Sequence, residues 1–216
     1  MSKIQWKGGA MLGPLPPVMV TCGTMEESNI ITIAWTGIVN TIPPKTYISI
    51  RPTRHSYNII KETGEFVINL TTAALVKSAD TCGVFTGRKV DKFARCGLTK
   101  EASAFVRCPV IAEAPLALAC RVTDIIPLGS HDMFLADIVG VEVEPSLIDP
   151  DGKLCLDRAG LAAYAHGEYY ALGARIGTFG FSVKKKTKHP TKASGAKDKK
   201  KTTAGKSKGH KNPKRS

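Results

Sequence analysis

Six consecutive residues, Arg51-Pro-Thr-Arg-His-Ser56, set two guanidinium groups, two hydroxyls and an imidazole just ahead of a helix-forming stretch. Guanidinium groups make charge-assisted bonds to phosphate, and the first turn of a helix leaves N–H donors free for an anion. The segment is a candidate phosphate cradle. Its structural alternative is an ordinary strand-to-helix turn with solvated arginines.

Two further stretches carry polar chemistry. Gly87-Arg88-Lys89-Val90-Asp91-Lys92-Phe93 repeats the basic theme and then presents an aromatic ring. Alone, such a run is usually a solvated loop. Asn29 to Gly37 places Trp35 and Thr36 at the end of an apolar strand. A tryptophan there fills a core or lies against a planar ligand whose polar edge meets backbone N–H groups. Other chemistries lack their motifs. No GxGxxG opens a helix after a strand, and no Walker A run is present. No GxSxG elbow occurs, so hydrolase readings start low. The six cysteines, at positions 22, 82, 96, 108, 120 and 155, form neither a CxxC pair nor a Cys/His cluster, so no metal site is expected. Reduced thiols are the expectation for them.

The elements that must position these residues read as mainly β. Val18–Cys22, Asn29–Thr36, Thr46–Ile50 and Phe66–Leu70 are apolar or alternating runs bounded by Gly and Pro. Leu116–Ile126 and Met133–Val143 form a predicted hairpin around Pro127-Leu-Gly-Ser130. Short helices are expected over Ser56–Thr63, with Ser56 as N-cap and Gly64 as stop, over Thr72–Asp80, and near Lys89–Cys96. Asp157–Tyr164 reads as a loop or short helix. Several short strands with few helices argue for a barrel rather than a doubly wound sheet.

Charge divides the chain. Residues 184–216 hold 14 Lys or Arg against the single acid Asp198, and so carry the entire formal charge of +13. Residues 1–183 sum to zero and are expected to fold as one domain. The tail lacks aromatic and large apolar side chains, so it is expected to stay disordered. It could contact a polyanion such as nucleic acid without sequence preference, with the barrel as scaffold. No run is long and apolar enough for a membrane span, and the N-terminal residues show no secretory h-region. A cytoplasmic location is expected.

Taken in order, NIITIAWTGIVNTIPP, ISIRPTRHSYNII, GEFVINL, SADTCG with GRKVDKF, and LGSHDMFLADIVGVEV resemble the flavin reductase-like FMN-binding split-barrel family, in its flavoredoxin-like branch. The resemblance runs from about Lys7 to Phe181. It implies a split β-barrel homodimer that binds FMN non-covalently near the subunit interface and exchanges electrons with NAD(P)H or a redox protein. It implies that Asn29, Thr32, Ala34, Trp35 and Thr36 line the isoalloxazine. It places Arg51, His55 and Ser56 on the phosphate and ribityl side. Cys82 and Gly83 match a small-residue turn near the cofactor, Lys92 a cationic position, and His131 a position reaching toward the flavin. Tyr164 falls near a late aromatic position. No catalytic residue is assigned.

Overall fold

The computed structural model describes residues 1–184. The predicted disorder and polyanion contact of the basic tail fall outside them, apart from Lys184. The chain divides into two units, Met1–Arg175 and Ile176–Ser216. The described part of the second holds one 3₁₀ turn, Phe181–Val183.

Eleven strands and three short α-helices make up the first unit. The strands are β1 (Val18–Gly23), β2 (Ser28–Ile33), β3 (Thr36–Thr41), β4 (Pro44–Ile50), β5 (Glu65–Leu70), β6 (Lys100–Ala102), β7 (Pro109–Ile111), β8 (Leu116–Pro127), β9 (Asp132–Val143), β10 (Ala162–Ala165) and β11 (Glu168–Ala171). The helices are α1 (His55–Thr63), α2 (Val76–Val84) and α3 (Lys92–Cys96). Seven strands form one antiparallel sheet in the order β2-β1-β5-β8-β9-β4-β3, and two two-stranded sheets, β10-β11 and β6-β7, stand beside it.

The two outermost strands of the large sheet, β2 and β3, are consecutive in the chain and separated only by Ala34 and Trp35. Two residues cannot span a flat seven-stranded sheet, whose neighbours lie about 4.8 Å apart. The sheet must curl until its edges nearly meet. Register irregularities in the β8–β9 ladder, between Ala119 and Cys120 and between Val122 and Asp124, supply the bending a closing sheet needs. The result is the split barrel expected from the sequence.

The barrel interior is apolar. Val20, Ile31, Ile48, Phe66, Ile68 and Phe134 are among the buried residues that fill it. All six residues of β1 are buried, which requires cover on both faces. The outer cover comes from α2 and α3, where Ala79, Cys82 and Phe93 pack on Met19 and Ile30. Asn69 sits inside this packing and is fully used, donating to Met19 O at 3.0 Å and accepting from Ile111 N at 2.9 Å.

Three local expectations change. Asn29–Thr36 is not one strand: β2 ends at Ile33, and Thr36 begins β3. The break is the barrel corner, and an apolar run cannot reveal it. Ser56 is not a helix cap. Arg54 occupies the N-cap of α1 without a side-chain cap bond, while Ser56 is buried in the first turn. Gly64 does end α1, at φ 68, with its N–H on Ile60 O at 2.9 Å. Residues Asp157–Tyr164 are split between a 3₁₀ turn, Leu156–Arg158, and β10.

Candidate functional site

The barrel seam is where the polar residues gather. A recess of about 360 Å³ opens there. Its floor is the end of β2 and the corner, Thr32 to Trp35, facing Ser49 to Arg51 at the end of β4. Gly83, Val84 and His131 also line it. Trp35 is 39 % exposed, so it is not core filling. Its backbone carbonyl accepts from Ser49 N at 2.9 Å, which fixes the corner against β4.

A smaller recess of about 200 Å³ adjoins the first, and Ile31 and Arg54 line both. Its walls include Asn29, Thr53, His55, Ser56, Thr86 and Lys92. His55 and Ser56, the first two residues of α1, belong to this wall, and a helix leaves the N–H groups of its first residues without i−4 partners. Asn29 Nδ2 donates to Ser56 Oγ at 2.7 Å, joining β2 to α1. Arg54 Nη2 donates to the carbonyl of Gly83 at the end of α2. Tyr57 OH donates to Asp132 Oδ2 at 2.5 Å, anchoring α1 to the start of β9 beside His131.

Lys92 is the most unusual member. It is only 3 % exposed, and its Nζ donates to Ile30 O at 2.6 Å and Cys82 O at 2.7 Å. No ion pair among the described residues includes it. A buried ammonium held only by carbonyls is costly. Burial pushes its pKa down from 10.5 to about 8. Burial also lowers His55, and Arg88 and Lys92 nearby lower it further. His131 is lowered by burial and then by Arg51. Arg54 and Lys92 share the smaller recess with no carboxylate in its lining. Arg54, His55, Lys92 and the α1 N–H groups are a donor set that fits a dianionic phosphate, and the wider recess beside Trp35 suits a planar ring.

Of the sequence-predicted residues, Thr32, Ala34, Trp35, Arg51, Gly83 and His131 line the larger recess, as does Tyr164. Asn29, His55, Ser56 and Lys92 line the smaller. Thr36 and Cys82 line neither. Thr36 Oγ1 donates to Tyr47 O at 2.6 Å within the β3–β4 pair, and Cys82 is fully buried behind α2. Thr53, part of the polar run expected to cradle phosphate, also lines the smaller recess, whereas Thr86, Asp80 and Tyr169 were not expected from the sequence. Thr86 lies between two stretches that were singled out. Tyr169 arrives on a hairpin whose fold-back has no signal in the sequence. Its hydroxyl donates to Asp80 Oδ1 at 3.4 Å, and its ring meets that of Tyr164 edge-on, centroids 5.3 Å apart.

The curled seven-stranded sheet is a split barrel, and the chain belongs to the flavin reductase like domain family, whose sequence profile matches residues 12–173. Within it, the fold is of the flavoredoxin-like kind. The flavoredoxin of Desulfovibrio vulgaris (Miyazaki F) is 29% identical with a TM-score of 0.78, over 85% of this chain and 100% of that one. The flavoredoxin from Methanosarcina acetivorans is 23% identical with a TM-score of 0.76, over 85% and 100%. An FMN-binding protein from Thermus thermophilus, solved with 1-cyclohex-2-enone, shares the fold at 22% identity and a TM-score of 0.66, over 79% and 96%.

Proposed function

We propose that this chain binds FMN and works as a flavin-dependent oxidoreductase, taking electrons from NAD(P)H or a redox protein and passing them to free flavin or another acceptor. The observation that carries this reading is Lys92: a buried ammonium without a carboxylate, beside Arg54, His55 and the first turn of α1. A phosphate dianion supplies the missing counter-charge. Arg54, which lines both recesses, holds the phosphate half while Trp35 faces the ring half. Arg51 keeps positive charge at the rim of the larger recess, which favours a reduced, anionic ring, and His131 lines the same recess as a hydrogen-bonding imidazole. Bound FMN supplies the electron-transfer chemistry, and the chain's own residues bind, orient and bias it.

FMN titration monitored by fluorescence tests the binding. Quenching to a stoichiometric endpoint is expected; undiminished FMN fluorescence overturns the reading. Oxidation of NADH and NADPH with and without added free flavin then separates a reductase from a carrier. A bound flavin without NAD(P)H turnover assigns the carrier role.

Homodimer formation belongs to the same reading. It is supported by Ile38, Val39 and Ile42, exposed large apolar side chains on or next to the edge strand β3. Light scattering of the purified chain should give twice the monomer mass. A second reading, polyanion attachment, rests on the charge of +13 after residue 183. Truncation there should abolish nucleic-acid retention and leave FMN binding intact.

A further inference from the structure

Two thiols meet between α2 and α3. Cys82 Sγ lies 3.9 Å from Cys96 Sγ, a contact distance for sulfur atoms. Cys82 is fully buried, and its backbone carbonyl receives Lys92 Nζ at 2.7 Å. Cys96 is half-buried and lines a separate surface recess with Lys77, Ser78, Thr81 and Arg95. The other four cysteines have no thiol partner among the described hydrogen-bond contacts, so this pair stands apart. The juxtaposition offers one thiol that a small molecule can reach and a second waiting behind it.

We propose that Cys82 and Cys96 are a reversible dithiol–disulfide site, closed by a small anionic disulfide that enters over Lys77 and Arg95. Cys96, deprotonated to solvent, attacks one sulfur of the oxidant. An S–S bond forms between Cys96 and that half, and the other half leaves as a thiolate that takes up a proton. Cys82 then loses its proton to solvent and attacks Cys96 Sγ, which breaks the mixed disulfide and releases the second thiolate. Two protein thiols are oxidised, and one disulfide is reduced to two thiols. The order follows from position: Cys96 faces the recess, while burial pushes Cys82 up to about 12. A sulfur–sulfur bond of about 2.0 Å requires the two sulfurs to close from contact distance, a movement of side chains across two short helices. The bond would clamp α2 one residue before Gly83, whose carbonyl holds Arg54. The site needs no bound flavin, so it stands or falls separately from the function proposed above.

The test incubates the full chain with glutathione disulfide, blocks the remaining thiols with an alkylating agent and digests with trypsin without reduction. Cleavage after Lys77, Arg88, Arg95 and Lys100 puts the two cysteines in separate peptides, residues 78–88 and 96–100. The expected result is a linked pair of these peptides in most molecules, separating on treatment with dithiothreitol. Recovery of both peptides fully alkylated, or linkage of either to another cysteine, overturns the proposal. The Cys96→Ser variant should lose the linked pair and leave Cys82 unmodified. A glutathione adduct on Cys82 in that variant would overturn the assignment of Cys96 as the entering thiol.

Discussion

Asn29 and Ser56, 27 positions apart, are joined by a 2.7 Å hydrogen bond from amide to hydroxyl, and Gly87 lies against that bond. A Cβ on Gly87 would come within 2.1 Å of Asn29 Oδ1 and 2.8 Å of His55 Cδ2. Asn29 is buried and cannot swing away freely. Gly87→Ala should therefore break the Asn29–Ser56 bond and lower stability by about 1–3 kcal/mol. Thermal unfolding checks the stability, and FMN titration should show weaker binding in the same variant. An unchanged melting temperature would mean the loop moves without cost.

Lys92→Met removes the buried cation while keeping most of its apolar stem. Without ligand the variant should be as stable as the parent or more so, because a buried, unpaired ammonium is lost. Its FMN Kd should rise at least tenfold, about 1.4 kcal/mol. A variant that melts lower yet binds FMN normally would make Lys92 a structural residue alone.

The same lysine sets a pH dependence. Its pKa is about 8 in the folded chain against 10.5 when unperturbed, so between those values the unfolded state holds more protons. This contribution makes ligand-free stability rise as pH climbs from about 8 toward 10.5, and the penalty is present in full below 8. A phosphate dianion restores the charged form. FMN binding should then take up a proton near pH 9 and weaken as pH rises further. Calorimetry in two buffers of different ionisation enthalpy measures the uptake; identical heats would remove Lys92 from the linkage.

Arg51 and Arg54 separate by position. Arg54 lines both recesses and holds Gly83, whereas exposed Arg51 lines only the larger. Arg54→Ala should cost about 1.5–3 kcal/mol of FMN affinity, as expected for charged hydrogen bonds, and Arg51→Ala clearly less. Riboflavin, which lacks the phosphate, should bind the parent and Arg54→Ala with nearly equal affinity. Equal FMN losses in the two variants would place the phosphate between the arginines.

Tyr169 lines the larger recess together with Trp35 and is tied to Asp80. Burial pushes its hydroxyl pKa up to about 12, with the Asp80 carboxylate adding to the shift. Tyr169→Phe should leave FMN affinity within about twofold, since a partly exposed 3.4 Å bond contributes little. It should alter KM for an electron acceptor more than kcat. A large loss of FMN affinity would move Tyr169 into the cofactor shell.

What the sequence displays depends on how local the cause is. The β8–β9 hairpin was legible because its alternation and its Pro-Leu-Gly turn are contiguous. The polar cluster at residues 51–56 was legible because charge before a helix is a local pattern. Ser56 misled because a serine at a helix start usually caps it, and only the distant Asn29 shows why this one turns inward. The β10–β11 hairpin escaped notice because its turn is His166-Gly167, with φ of 50 and 92, rather than the Asn-Gly or Asp-Gly that advertises such turns. Cys82 drew attention by its motif, but its thiol faces Cys96 rather than a recess.

The near-meeting of β2 and β3 leaves two strand edges whose peptide groups no third strand occupies. Backbone donors along those edges are the same whatever residues carry them, while the charge beside them comes from a few fixed side chains, Arg54 and Lys92. Side chains elsewhere along the seam can diverge while those two persist. Descent within this architecture can redirect what the cleft accepts by altering only its rim, from the β10–β11 hairpin to the His131 loop, without rebuilding the surface that grips the ligand.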